Sequence, residues 1–182
     1  MRPGDRPSCG GRKRRAAASG RCQTAEVTFT DDGVPRRATR TDIDALLSLW
    51  GLVFDEDQST PPQPWRRHAR TWFSGVVDDD RSACFPVIES AGEIVATAIG
   101  TLELGVPNPQ CPHGRAVRLA NVVTAPEHRC HGYGTTLVDY VVDWANSVHA
   151  DRVDLSATPA GQRLYARAGF VLPSAPRMKR VL

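Results

Sequence analysis

The stretch NVVTAPEHRCHGYGTTL, residues 121 to 137, decides how the rest of the chain is interpreted. Its apolar start indicates the end of a strand, a short turn follows, and glycines then open a helix whose apolar spacing continues to about Val148. Gly132 and Gly134 remove side chains where the backbone must approach a ligand. The first N–H groups of a helix have no carbonyl partner inside it, and the helix dipole favours an anion beside them. The stretch therefore predicts a diphosphate-binding turn, with Arg129 adding charge-assisted hydrogen bonds.

Other nucleotide-binding loops do not fit this spacing. The chain contains neither G-x-G-x-x-G nor G-x-x-x-x-G-K-[ST], and the glycines follow the fourth predicted strand rather than the first. Dinucleotide-binding and NTP-binding classes are therefore disfavoured.

The pattern on either side of the turn predicts one α/β domain. Apolar residues at helical spacing predict four helices. They extend from Thr41 to Trp50, from Trp65 to about Val77, from Gly132 to about Val148, and from Gly161 to Ala168. Alternating or apolar runs predict strands at residues 34–38, 83–87, 94–104, 117–123 and 153–157, with a last segment at 170–172. This order predicts a mixed sheet with helices on both faces.

Two local features refine the predicted elements. Asp44 lies three residues after Thr41, which resembles a capping box at the start of the first helix. The loop of residues 105–114 is rich in proline and glycine and separates the third and fourth strands.

Length and charge suggest a folded domain with a basic extension. The chain has 182 residues, of which 41% are hydrophobic and 24% charged, as in globular proteins. Residues 1–22 carry seven basic side chains against one acidic, and the remainder carries sixteen against nineteen. We interpret residues 1–33 as an unfolded basic extension and residues 34–182 as the domain. The domain itself is mildly acidic, so we expect no nucleic-acid surface on it.

Neither a secretory signal nor an apolar run of about 20 residues is present in the sequence. We therefore expect a cytoplasmic protein without a membrane partner. The five cysteines show no C-x-x-C pair, and Cys111 with His113 lacks a second ligand pair. The sequence predicts no metal site and no disulfide framework.

Two motifs carry a resemblance to a known family. Arg129-Cys-His-Gly132-Tyr-Gly134 matches R-x-x-G-x-G, and the residues before it, Val123-Thr-Ala-Pro-Glu-His, match V-x-x-P-E-[HY]. About thirty residues later, Leu164-Tyr-Ala-Arg-Ala-Gly-Phe170 matches L-Y-x-x-x-G-F. Over residues 34–172 the chain resembles the GNAT N-acetyltransferases, which implies the GNAT fold.

The resemblance implies an acyltransferase that moves an acetyl group from acetyl-CoA directly to an amine of a small molecule or peptide. It implies that backbone amides from Arg129 through Thr135 hold the diphosphate, and that the backbone of residues 122–124 binds the pantetheine arm. Tyr165 would protonate the departing CoA thiolate. The residues so assigned to acetyl-CoA are Val122, Val123, Thr124, Arg129, Cys130, His131, Gly132, Tyr133, Gly134, Thr135 and Thr136.

The sequence departs from the family at the general base. Several members carry a glutamate on the fourth strand, but residues 115–123 contain no carboxylate, and Arg118 lies near that position. Glu103 is the nearest plausible carboxylate, and an amine deprotonated through water is the alternative. Thr158 also falls where many members have an asparagine. We expect Cys130 in the loop to take no covalent part in the reaction.

Two further functions stay open from the sequence. The missing carboxylate fits a GNAT-shaped protein that binds acyl-CoA without turnover, and the arginine-rich extension fits a module associated with nucleic acid. A homodimer is also left open, because a terminal strand can pair with a second copy.

Overall fold

The computed structural model describes residues 33–54, 63–174 and 178–181. Residues 1–32 of the predicted extension and the break at Pro61 and Pro62 lie outside these residues. Gly33 belongs with the folded part, because its N–H donates to the Glu89 carbonyl at 3.3 Å. No helix in the described ranges is long and apolar enough to cross a membrane.

A six-stranded mixed sheet forms the centre of the molecule. Its strands are β1 (Pro35–Arg37), β2 (Ala83–Cys84), β3 (Pro86–Ser90), β4 (Glu93–Leu104), β5 (Arg115–Thr124) and β6 (Arg152–Leu155). The order is β1-β3-β4-β5-β6, with β2 also on β4. Only the β5–β6 pair is parallel among these strands.

The predicted strands differ from the observed ones at two places. The strand expected at residues 83–87 is interrupted at Phe85, before Pro86, which has no N–H to donate to the sheet. The segment at residues 170–172 forms no strand, so this expectation is wrong. Gly169 turns the chain at φ +86°, and Val171 and Leu172 are left exposed.

Four helices complete the fold: α1 (Ile43–Val53), α2 (Pro64–Val76), α3 (Tyr133–Ser147) and α4 (Gln162–Arg167). The capping box predicted at Thr41 is displaced by two residues, because the Thr39 N–H donates to Asp42 Oδ2 at 2.7 Å and a short 3-10 turn precedes α1. Arg36 holds the Asp42 carboxylate in place at 2.8 Å. Asp44 instead pairs with Arg70 of α2.

Apolar side chains form a core on each face of the sheet. On the face covered by α3, Val117 and Leu119 of β5 pack with Leu137 and Val141. The opposite face is covered by α1 and α2, and its fully or almost fully buried residues include Leu46, Leu47, Trp50, Phe73 and Phe85. The prediction of helices on both faces is confirmed.

Strands β5 and β6 diverge after Leu119, near an irregularity in the pairing of β5 with β4. The β4–β5 register shifts by one residue between Thr97 and Ile99, and Asn121 opposite this shift has φ +48°. Strand β5 pairs with β6 only from Ala116 to Leu119. From Ala120 to Thr124 the edge of β5 that faces away from β4 pairs with no strand of the described part of the chain.

Candidate active site

The loop between β5 and α3 is built on two left-handed residues. A 3-10 turn at Pro126–His128 follows the strand, and Cys130 and Gly132 then have φ +67° and +84°. Gly132 is the N-cap of α3. Only glycine adopts this backbone without strain, so Gly132 is needed for the shape of the loop.

Five consecutive backbone N–H groups in this loop donate no hydrogen bond within the described residues, namely those of residues 130–134. The N–H of Arg129 is directed to the Pro126 carbonyl at 3.4 Å, and those of Thr135 and Thr136 donate to the Gly132 carbonyl at 2.9 and 3.2 Å. The free donors are therefore fewer than the amides from Arg129 through Thr135 that the resemblance implied. They lie together at the positive end of α3, as anion sites do.

A groove of about 400 Å³ lies beside these donors. The loop and the first turn of α3 form one wall, and Leu164 and Arg167 of α4 form the other. A Cβ on Gly134 would lie 2.8 Å from Leu164 Cδ1, so this glycine lets α4 close against α3. Sequence analysis did not find Arg167, although its spacing of three from Leu164 places both on one helix face.

The side chains of the loop hold its shape from within. Arg129 Nε donates to the Thr124 carbonyl at 3.4 Å, and His131 Nδ1 lies 3.0 Å from the His128 carbonyl. The His131 ring stacks on Tyr133 at 5.7 Å. Cys130 is exposed.

Val122, Val123 and Thr124 lie on the part of β5 that has no β6 partner. Val123 and Thr124 pair with Thr97 and Ala96 of β4, which leaves the opposite edge of this segment open. An extended chain with amide groups can take the place of the missing strand there.

Tyr165 lies on the β6 side of the divergence. It lines a second groove, of about 490 Å³, with Leu155 and Ala157, and does not line the groove beside the loop. Its ring packs edge-on against Phe170 at 5.9 Å. Burial raises the pKa of Tyr165. The phenol consequently stays protonated over a wider pH range than in water, which suits a proton donor.

Other candidates are not brought to the divergence. Glu103 is exposed and lies opposite Ala116, four residues and about 13 Å along the strand from Ala120. Thr158 accepts from the Gly161 N–H through Oγ1 at 3.2 Å and so holds the start of α4. Cys111 and His113 both contact Asp151, and the described residues contain no group of three or more metal-ligating side chains.

Comparison with known proteins identifies the family. The acetyltransferase (GNAT) family model matches residues 46–170. No curated protein matches the sequence.

Three solved structures share the fold. A predicted acetyltransferase from Clostridium acetobutylicum, solved with acetyl-CoA, has 21% identity and a TM-score of 0.71, covering 80% of this chain and 94% of its own. A putative acetyltransferase from Agrobacterium tumefaciens has 26% identity and a TM-score of 0.64, with coverages of 81% and 99%. Glucosamine-6-phosphate N-acetyltransferase from Arabidopsis thaliana has 19% identity and a TM-score of 0.66, with coverages of 80% and 96%.

The family model spans more than half of the chain, and the neighbours confirm the predicted mixed sheet with flanking helices. The chain belongs to the GNAT family of acetyltransferases.

Proposed function

We propose that this protein is an N-acetyltransferase that moves the acetyl group of acetyl-CoA directly to an amine of a small molecule or peptide. The observation that supports this most is the run of five N–H groups at residues 130–134 that find no acceptor among the described residues, next to a strand edge that has no partner among them either. The related structure from Clostridium acetobutylicum was solved with acetyl-CoA.

The loop and the strand edge suit different parts of acetyl-CoA. The diphosphate lies against the amides of residues 130–134, where Arg129 and Arg167 add positive charge. The pantetheine arm follows β5 along Val122 to Thr124, and its amides bond to the strand backbone. The thioester is thereby directed to the divergence between β5 and β6.

Tyr165 acts as the general acid in this proposal. The neutral amine attacks the thioester carbonyl carbon, the carbon–sulfur bond breaks, and the departing thiolate takes the phenol proton. The amine gives up its own proton to water, because β5 carries no carboxylate in this region. The tyrosinate then regains a proton from solvent.

Replacement of Tyr165 by Phe tests this role. We expect turnover to fall by roughly 10²- to 10⁴-fold, the usual contribution of a general acid. The affinity for acetyl-CoA, measured by calorimetry, should change little, because the hydroxyl does not touch the diphosphate loop. Release of free CoA thiol with a panel of amines measures turnover.

Tyr140→Phe is the matched control, because Tyr140 is also partly buried and its pKa is also raised by burial. It lies on α3 and should leave turnover unchanged. Equal activity of Tyr165→Phe and wild type would remove Tyr165 as the acid. Binding of acetyl-CoA without thiol release from any amine would favour a regulatory protein that binds acyl-CoA.

A further inference from the structure

Arg118 differs from the other arginines of the sheet. It is partly exposed, and within the described residues its side chain makes no hydrogen bond or ion pair. The other four strand arginines all have partners there: Arg36 Nη1 on Asp42 at 2.8 Å, Arg37 Nη2 on the Ala83 carbonyl at 2.8 Å, Arg115 Nη2 on the Val148 carbonyl at 2.7 Å, and Arg152 Nε on Asp154 at 3.0 Å.

Arg118 lies beside the point where the sheet opens. It is the residue before Leu119, the last residue of β5 that pairs with β6. Val117 and Leu119 belong to the core under α3, so alternation along the strand places Arg118 on the opposite face. On that face α1 packs over Val123 through Leu49, and Arg118 stays partly exposed.

Within the described residues, neither strand neighbour is bonded to the guanidinium. Thr101 of β4 and Asp154 of β6 are its register partners, and Asp154 already accepts from Arg152. A guanidinium presents its N–H donors in a planar fork that matches carboxylate and phosphate oxygens. This fork has no bonded partner among the described residues and lies next to the proposed acetyl-transfer point, so it is available to an anionic group of the acceptor.

We infer that Arg118 binds a carboxylate or phosphate group carried by the acceptor amine. The inference rests on the proposed function, since it assigns the acceptor class of that same site. The guanidinium orients the acceptor through its oxyanion and repels a second positive charge nearby. Polycationic amines are disfavoured for the same reason.

Matched pairs of acceptors test the assignment. One arm compares an amino acid with its amide, and the other compares an amino-sugar phosphate with the free amino sugar. We expect wild type to favour the anionic member of at least one pair by about 10- to 100-fold in kcat/KM, the effect of one charge-assisted bond. Arg118→Gln should remove the preference without lowering activity toward the neutral member, and Arg118→Lys should restore part of it.

Arg163→Gln, on the exposed surface of α4, is the control and should keep the preference. Wild type that favours neutral or polycationic amines would overturn the inference, and so would equal losses of Arg118→Gln on both members of a pair. Binding of acetyl-CoA with no acetylation of any anionic amine would also overturn it. Failure to bind acetyl-CoA would instead contradict the proposed function.

Discussion

The two loops that flank strand β5 differ in whether their backbone N–H groups have hydrogen-bond acceptors. At the loop before β5 (residues 105–114), the N–H of His113 donates to the Asp151 carboxylate at 2.9 Å. The N–H of Arg115, the first residue of β5, donates to the same carboxylate at 3.2 Å. The carboxylate also contacts His113 Nδ1 at 2.6 Å and Cys111 Sγ at 3.2 Å. In the loop after β5, the five N–H groups of residues 130–134 meet no acceptor in the described structure.

The difference separates a loop that the protein ties down from a loop whose N–H groups stay accessible, which is the proposed diphosphate site. A buried donor without an acceptor costs free energy, so a loop whose donors meet a carboxylate from another part of the protein is complete without a ligand. The loop after β5 is exposed to solvent and keeps its donors for an anion from outside. Both loops contain glycine and turn residues, and what distinguishes them is whether a carboxylate from elsewhere in the fold reaches them.

Among changes to these two loops, the largest effect is expected when the loop after β5, here called the open loop, is distorted. Gly132→Ala places a side chain at φ +84°, where an L-residue costs about 1–2 kcal/mol. The loop then shifts and its N–H groups no longer converge. We expect the affinity for acetyl-CoA, measured by calorimetry, to fall roughly tenfold or more, since 1.4 kcal/mol is a factor of ten.

Gly92→Ala is the matched control for this change. Gly92 has φ +82°, and, as at Gly132, nothing lies within 4 Å of an added Cβ. It lies in the β3–β4 turn and does not line the groove beside residues 130–134. Both variants should lose a similar amount of stability, but Gly92→Ala should bind acetyl-CoA like wild type. Equal binding by Gly132→Ala would show that the loop does not hold the diphosphate.

A smaller effect, on stability alone, is expected when the loop of residues 105–114 loses its contacts with the Asp151 carboxylate. The Asp151 side chain is only 7% exposed. Burial raises its pKa, but the hydrogen bonds from His113, Arg115 and Cys111 outweigh burial and lower the pKa of Asp151 well below its usual value. Asp151→Asn should lower the midpoint of thermal unfolding and leave acetyl-CoA affinity unchanged, because it acts at the other end of β5.

The same substitution has a defined pH dependence. A carboxylate whose pKa is lowered by folding stabilises the protein above its unfolded pKa of about 3.9, and this contribution is lost as pH falls through the folded pKa. The difference in unfolding midpoint between wild type and Asp151→Asn should therefore be largest near neutral pH and shrink below about pH 4. Asp44→Asn, which removes an exposed ion pair with Arg70, should have a smaller effect. A difference independent of pH would contradict this account.

Features that depend on residues close together in the sequence could be predicted, and features that depend on distant residues could not. The turn at Arg129 to Gly134 and the helix after it are local, so spacing and glycine chemistry predicted them correctly. The contacts with Asp151 join residues that are 36 to 40 positions apart. From the sequence, Cys111 and His113 were considered only as metal ligands, so their shared contact with Asp151 was not predicted. Likewise, the capping box forms at Thr39 and not at the predicted Thr41, because Arg36 of β1 binds the Asp42 carboxylate.

The assignments at the site show the same limit. Periodicity along β5 predicted a strand, but only the structure shows that pairing with β6 stops at Leu119 and that the Arg118 side chain bonds to none of the described residues. A side chain's isolation depends on all surrounding elements, which no local pattern describes.

The smallest effect is expected at Cys130, which tests whether the open loop acts through its backbone. Cys130 is exposed in the loop, whereas Cys84 and Cys111 are buried. Because the proposed transfer is direct, Cys130→Ala should keep turnover and acetyl-CoA affinity within about twofold, as is usual for a surface change within ±0.5 kcal/mol. In a variant with Cys9 and Cys22 changed to Ser, iodoacetamide should label Cys130, and acetyl-CoA should slow the labelling. Loss of turnover in Cys130→Ala would indicate an acyl-cysteine step, and labelling unaffected by saturating acetyl-CoA would place the diphosphate elsewhere.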